Sequence, residues 1–414
     1  MTFELVDNVR TLSLDLVATT TLAALLLMLG YAIRGKVSFL EKFCIPAPVI
    51  GGLIFSILAL ILRNTGLLVF SLSTTLQTPF MVAFFACVGF GGSFALLRAG
   101  GKALLVFLVL CWVMAICQNA IGVGLAYLLN INPVLGVMAG AVSLTGGHGN
   151  AAAFGPEAEA LGVVGATTVA VAAATYGLIA GSISGGPVGR FLIEKFKVPI
   201  KASELGIDRT THEAIAQQKE DEKITPRSLM KHMTVIGVFM VLGALITLGV
   251  KLLNIPNFSL PGYVGAMFIA IIFRNVNDKF NFVKIDSTAI DMIKEVGLGF
   301  FLTMAIMTLK IWELADLAIP LIVILAVQTV FVLLYIFFLV WPLLRKDYDA
   351  AVMSAGFTGV GLGVTATAIA SMSVVCEKYK VNSFKAFLIV PLCCAVFIDI
   401  VAIPVIVFCI GFFS

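Results

Sequence analysis

The sequence predicts an all-α polytopic membrane protein with ten transmembrane helices, arranged as two inverted five-helix repeats, each with a glycine-rich re-entrant hairpin. The hydrophobic composition, the lengths of the apolar runs and matching features in the two halves predict this fold. Of the 414 residues, 60% are hydrophobic and 12% charged, and mean hydropathy is +1.08. Soluble proteins have about 25% charged residues. The composition excludes a soluble enzyme, a disulfide-stapled secreted domain and a disordered scaffold.

Ten apolar runs are long enough to cross a bilayer, which takes about 20 residues. They are residues 13–33, 45–62, 78–97, 103–129, 161–193, 233–253, 256–273, 293–309, 318–344 and 384–413. Two further runs, 134–154 and 350–374, contain glycine clusters and fit poorly as full spans. We expect each of these two runs to enter the membrane and return on the same side.

A charged linker divides the chain into residues 1–193, 194–232 and 233–414. The linker holds 15 of the 50 charged residues. With the N-terminus outside and both hairpins returning, 23 Lys and Arg lie inside and four outside, as the positive-inside rule requires. The sequence therefore predicts a multi-pass protein of the cell inner membrane with both termini outside and the linker in the cytoplasm.

The two halves carry matching features at an offset near 214 residues. The matched pairs, in order, are Pro48 and Gly52 with Pro261 and Gly265, Phe84-Phe85 with Phe300-Phe301, Gln118 with Gln328, and the cluster 145–149 with 359–363. Five spans per half is an odd number, so the second half enters the membrane inverted. This is the architecture of secondary transporters, whose site lies near the midplane where interrupted segments meet.

The glycine clusters are the candidate binding segments. Non-helical backbone at membrane depth is tolerated only beside protein or a water-filled cavity, and glycines that adopt positive φ expose backbone N–H and C=O groups. Free N–H groups at a helix N-terminus attract a carboxylate, while carbonyls and threonine hydroxyls suit sodium. The alternative is that these glycines only allow close helix packing. The candidate substrate ligands here are Thr145, Gly146, Gly147, His148, Gly149, Asn150, Gly361, Gly363 and Thr365.

Polar residues within apolar spans complete the candidate site. Asp399 is an ionisable group in the last span, and such groups mark functional sites by default; it would bind an ammonium group or sodium, or pair with a hairpin N–H. His148 would donate to an anion, act as a proton-sensitive gate, or satisfy a buried carbonyl. The side chains of Gln118, Asn119 and Gln328 would line the site or form hydrogen bonds between helices. The candidate sodium ligands are Gln118, Asn119, Gln328, Gly359 and Thr367.

Other function classes fit the sequence poorly. The three histidines do not form a metal or acid/base constellation, because two of them lie in the linker, so we expect no enzyme and no cofactor apart from a coupling ion. No basic run is interleaved with aromatic residues, so we expect no nucleic-acid partner. A passive channel is a weaker alternative, and a proton- or sodium-coupled carrier of citrate, malate or aspartate shares every architectural feature.

Several segments resemble the bacterial sodium/glutamate symporter family, and the likeness fails only in the linker. They are FFACVGFGGSFALLRAGG (84–101), QNAIGVG (118–124), AGAVSLTGGHGNAAA (139–153), GGPVGRFL (185–192), KIWELA (310–315), TGVGLGVTATAIA (358–370) and PLCCAVFIDIV (391–401). The resemblance implies sodium-coupled uptake of L-glutamate by an elevator-like movement within a homodimer. The chain departs from the family pattern at Asn150 (threonine or serine), Phe357 (histidine) and Ala366 (proline).

Overall fold

The computed structural model describes residues 2–6, 9–95, 101–200, 225–253, 261–283, 285–314 and 317–414. Arg98, His212 and most of the linker lie outside these residues. The first half contains β1 (Thr2–Val6), β2 (Val9–Leu14), α1 (Leu16–Arg34), α2 (Ser38–Lys42), α3 (Ala47–Asn64), β3 (Val69–Leu72), α4 (Gln77–Phe90), α5 (Gly101–Leu128), α6 (Pro133–Val142), α7 (Gly147–Ala160) and α8 (Ala166–Lys195). The second half contains α9 (Pro226–Leu252), α10 (Gly262–Phe280), α11 (Ser287–Met307), α12 (Ala318–Leu343), α13 (Tyr348–Leu362), α14 (Thr365–Tyr379), α15 (Phe384–Leu392) and α16 (Asp399–Phe413).

The chain is a polytopic helical membrane protein. Six of its described helices are long and apolar enough to cross a membrane, namely α1, α3, α5, α8, α9 and α12. Shorter apolar helices include α4, α6 and α16. Helix α8 continues to Lys195 and helix α9 begins at Pro226, so both helices extend into the predicted linker of residues 194–232.

The chain is mostly helical, with a small sheet at the N-terminus that the sequence did not predict. β1 pairs with β2 in antiparallel fashion, and β2 pairs with β3 in parallel fashion, with Thr11 opposite Val69. Asp15 then caps α1 by accepting a hydrogen bond from the backbone N–H of Ala18, so the helix begins at Leu16 rather than at residue 13. The first apolar run predicted from the sequence, residues 13–33, thus includes the last two residues of β2.

The first packing group contains α1, α3 and α4 from the first half and α9, α10 and α11 from the second. Glycines let its helices approach closely. A Cβ at Gly30 of α1 would collide with the backbone of Ala47 in α3, and a Cβ at Gly243 of α9 would collide with the backbone of Ala266 in α10. The two helix pairs are therefore built on the same kind of contact.

The second packing group contains α5 to α8 and α12 to α16. Four glycines at four-residue spacing form a stripe on α8 that receives α13 and α14; they are Gly177, Gly181, Gly185 and Gly189. At Gly177 the neighbour is a backbone atom, the carbonyl oxygen of Leu362 at the end of α13. This stripe holds the second glycine-rich run against the rest of the group.

Both glycine-rich runs are interrupted helices. The first divides into α6 and α7, with non-helical backbone at Gly140, and the second divides into α13 and α14. α13 and α14 run antiparallel, because Gly356 packs on Met372 while Gly359 packs on Ala368. The last predicted span is also divided, by a π-helical turn at Cys393–Phe397 between α15 and α16.

The contact at Gly177 gives a stability test. Alanine in place of glycine within a helix normally stabilises by about 1 kcal/mol, but a Cβ at Gly177 would overlap the carbonyl of Leu362. We expect Gly177→Ala to lower the free energy of unfolding by about 1–3 kcal/mol, the range for overpacking. The measurement is thermal unfolding of the purified protein in detergent.

Gly237→Ala is the matched control, since no atom lies within 4 Å of a Cβ built at Gly237 in α9. We expect this variant to unfold at the same or a higher temperature than the unmodified protein. Equal destabilisation of both variants would contradict the role of the α8 stripe.

Candidate functional site

A cavity of about 490 Å³ lies between the two packing groups. The first group contributes residues of α4 and α11, and the second contributes both helix interruptions and the start of α16. The residues that line it are Pro46, Phe84, Phe85, Val88, Thr145, Gly146, His148, Gly149, Asn150, Lys294, Glu295, Leu298, Leu302, Val360, Val364, Thr365, Ala366, Cys394, Ile398 and Asp399.

The two interruptions touch each other at this cavity. Gly147, the first residue of α7, has φ +63°, a left-handed conformation that favours glycine. A Cβ at Gly147 would collide with the side chain of Val364, which precedes α14. The first turns of α7 and α14 therefore meet at one place.

The helix starts give this place a positive electrostatic character. The first backbone N–H groups of a helix have no intrahelical acceptor, and the helix dipole is positive at that end. Residues 148 and 149 of α7 and residues 365 and 366 of α14 line the cavity. Two helix N-termini thus converge on one cavity, which suits a carboxylate group.

Positive φ is not a general property of the glycine clusters, and that expectation is wrong. Among the clustered glycines only Gly147 has positive φ. Gly359 and Gly361 lie inside α13, where Gly359 packs on the backbone at Ala368 and Gly361 packs on Met114 and Val332. Close packing, the alternative interpretation, accounts for Gly359 and Gly361.

Asp399 lies at the first position of α16, directly after the π-helical turn, and lines the cavity. Asn150 lines the same cavity. The indole Nε1 of Trp112 donates to the carbonyl oxygen of Phe397 at 2.8 Å. Trp112 therefore binds a carbonyl of the turn that precedes Asp399.

Gln118 connects the two interruptions. Its Oε1 accepts a hydrogen bond from the Thr145 hydroxyl at 2.6 Å, and its Nε2 donates to the carbonyl of Gly361 at 2.7 Å. Its own carbonyl accepts from Nε2 of Gln328 at 2.7 Å. Gln118 and Gln328 are fully buried, so the repeated glutamines form one interhelical network.

The predicted sodium ligands lie behind the interruptions rather than on the cavity wall. Asn119 accepts a hydrogen bond from the backbone N–H of Ala141, next to the kink at Gly140. Two of the predicted sodium ligands have a buried side-chain oxygen with no hydrogen-bond partner among the described residues, Oε1 of Gln328 and Oγ1 of Thr367. Oγ1 of Thr367 and the carbonyl of Gly359 both lie beside Gly363, where a cation would find oxygen ligands.

His148 lies in the cavity wall and is 3% exposed. Its Nε2 is 3.0 Å from the Thr175 hydroxyl, and that hydroxyl donates to the carbonyl of Val171. The hydroxyl therefore accepts from Nε2–H, which leaves Nδ1 as an acceptor in the neutral ring. Within the described structure Nδ1 has no partner.

Most of the predicted substrate ligands are brought together, and some lining residues were missed. Gly147 lies at the meeting point of the interruptions, whereas Gly361 and Gly363 lie behind it. The predicted residues that line the cavity are Thr145, Gly146, His148, Gly149, Asn150, Thr365 and Asp399. The missed ones include the aromatic wall at Phe84 and Phe85, whose signal was its repetition at Phe300-Phe301, and the charged pair Lys294-Glu295 at the start of an apolar run.

The sodium/glutamate symporter family profile matches residues 12–381. The sodium/glutamate symporter of Escherichia coli (strain K12) is 39% identical over 389 residues, which cover 94% of this chain and 95% of that protein. The sodium/glutamate symporter of Haemophilus influenzae is 39% identical over 384 residues, covering 92% and 94%. With a profile match over most of its length and relatives of this identity, the chain belongs to the sodium/glutamate symporter family.

Proposed function

We propose that this protein is a secondary active transporter that takes up L-glutamate together with sodium across the cell inner membrane. One observation carries the proposal. Two helix N-termini and an intramembrane carboxylate, Asp399, converge on a single cavity, and glutamate carries two carboxylates and one ammonium group. The related proteins are named as symporters, so the function is transport rather than catalysis.

Each charge of the substrate has a complementary partner in the cavity. The N–H groups at the starts of α7 and α14 would bind the carboxylates. Asp399 would bind the ammonium group, and the free Nδ1 of His148 is an acceptor on the same wall. Asn150 and Ala366 line the cavity and depart from the family pattern, so both would influence substrate selectivity.

Sodium would bind behind the interruptions. The carbonyl of Gly359, the hydroxyl of Thr367 and the amide oxygen of Gln328 supply hard oxygen ligands, and the latter two lack partners among the described residues. Gln118 and Asn119 would hold the backbone around this ion in place through their hydrogen bonds to both interruptions.

Coupling follows from mutual stabilisation. If sodium and glutamate each order the same two interruptions, each raises the affinity for the other by the same factor. One sodium per glutamate neutralises the substrate's net charge. A second would make uptake electrogenic, and each charge moved along 100 mV contributes about 2.3 kcal/mol.

Several contacts support two inverted repeats of five spans with re-entrant hairpins. Pro46, rather than Pro48 as matched in the sequence, occupies the position before α3 that Pro261 occupies before α10, each with extended backbone. Asn132 caps α6 and Asp347 caps α13 through their side chains. The α1–α3 and α9–α10 pairs share the glycine contacts described above.

The division into two packing groups supports an elevator-like movement within a homodimer. The cavity lies on the boundary between the groups, so the second group would carry the bound solutes along α4 and α11 of the first. The cavity reaches Pro46 and Lys294, which lie at the cytoplasmic side in the predicted orientation. The present conformation would then be open to the cytoplasm.

Uptake of labelled L-glutamate into proteoliposomes tests the proposed function. We expect accumulation under an inward sodium gradient, and none when potassium and a proton gradient replace sodium. Unlabelled glutamate should block the uptake, whereas citrate should not. Aspartate and glutamine in excess define the selectivity.

Three results would contradict the proposal. Uptake driven by protons alone would assign a different coupling ion, and competition by citrate without competition by glutamate would assign a different carboxylate. Currents far above carrier turnover would indicate a channel.

Asp399→Asn removes the carboxylate proposed to bind the ammonium group. Losing a charged partner in a desolvated site costs about 2 kcal/mol or more, so uptake at low glutamate should fall at least about tenfold. Glu377→Gln, which alters an exposed carboxylate on α14, should retain normal uptake. Normal transport by Asp399→Asn would remove this residue from the site.

Gly147→Ala tests the meeting point of the interruptions. A Cβ there costs about 1–2 kcal/mol in the left-handed region and also collides with Val364. Gly162→Ala carries the same kind of backbone cost, at φ +93°, with no atom within 4 Å of the new Cβ. We expect initial uptake rates to fall strongly for Gly147→Ala only. Equal losses in both variants would mean that backbone strain, rather than contact between the interruptions, is responsible.

A further inference from the structure

The wall that α11 contributes to the cavity is charged. Lys294 and Glu295 line the cavity opposite the two interruptions. They belong to the first packing group, whereas Asp399, Asn150 and His148 belong to the second. If the substrate moves with the second group, a residue of the first group contacts it only in conformations in which the binding residues of the second group lie beside that residue.

Lys294 is held by an interaction that is easily exchanged. Its Nζ lies 2.5 Å from Oδ1 of Asp291, three residues earlier on the same helix. The two side chains are 37% and 49% exposed, and exposed ion pairs contribute only about 0–1 kcal/mol. A substrate carboxylate in the cavity can therefore compete with Asp291 for the ammonium group.

The positive charge of Lys294 is not repeated at its counterpart in the first half. With Phe84 matched to Phe300, Lys294 corresponds to Thr78 at the start of α4. Thr78 lines a separate cavity with Gln77, Glu157 and Tyr263. The first turns of the two equivalent helices therefore differ in charge.

We propose that Lys294 receives a carboxylate of the substrate at the cytoplasmic mouth and so sets the affinity for glutamate on that side alone. This inference rests on the proposed function and orientation. As the substrate arrives beside α11, the ammonium group of Lys294 exchanges Asp291 for the carboxylate. The carboxylate of Glu295 repels the substrate carboxylate and so weakens its attraction to Lys294. Together the two side chains set how strongly glutamate is retained at the cytoplasmic mouth. Retention at this mouth slows the return of the carrier when internal glutamate is high.

The test compares half-saturating glutamate concentrations in right-side-out and inside-out vesicles. For Lys294→Gln we expect an increase of about two- to fivefold at the cytoplasmic face, the range equivalent to one partly exposed charge pair, and an unchanged value at the external face. Lys294→Arg should retain the cytoplasmic affinity. Asp291→Asn, which frees Lys294, should shift the cytoplasmic value in the opposite direction.

Lys279→Gln is the matched control, since Lys279 is exposed and lies over the ring of Phe280. It should change neither value. Equal shifts at both faces for Lys294→Gln, a shift at the external face alone, or no shift in either Lys294→Gln or Asp291→Asn would overturn the inference. Failure of the proposed function is a separate result, because the unmodified protein would then show no sodium-dependent glutamate transport.

Discussion

The need to satisfy backbone polar groups where helices are interrupted inside the membrane constrains the rest of this structure. Water is absent there, so each free N–H or C=O is costly unless the protein supplies a partner. Gln118 supplies partners to both interruptions at once, and Asn119 supplies one beside the kink at Gly140. Trp112 does the same for the turn before Asp399. Among the described residues, the buried side-chain atoms near this site that lack a partner include Nδ1 of His148, Oε1 of Gln328 and Oγ1 of Thr367.

Close helix packing is the second requirement, because helices in a bilayer gain no hydrophobic stabilisation from association. The glycine stripe on α8 brings α13 and α14 near enough for the two interruptions to touch. Gly147 adds the one left-handed residue of the clusters at the contact itself. Glycine therefore has two roles at this site: it allows close helix packing on α8, and it adopts the left-handed backbone conformation at residue 147.

The cavity combines groups from two packing groups with different roles. The interruptions and Asp399 provide complementary charge that would travel with the solutes, whereas α4 and α11 form the wall that these residues face. Aromatic side chains dominate the α4 wall, with Phe84 and Phe85 in edge contact at 5.1 Å, and charge is confined to the start of α11. An apolar wall with charge at one end fits a movement of the second packing group along it, followed by recognition of the substrate at the start of α11.

The membrane class, the paired glycine-rich segments and seven of the residues that line the cavity follow from the sequence, because apolar run length and polar groups within apolar runs are local properties. It erred where partners are distant in the chain. The first apolar run includes residues 13–14, which pair with β3, and Gly359 and Gly361 pack on α14 and on Met114 and Val332 instead of adopting positive φ. That Gln118 joins both interruptions and that Lys294 lines the same cavity is visible only in the folded molecule, since both depend on contacts between halves of the chain that no local pattern records.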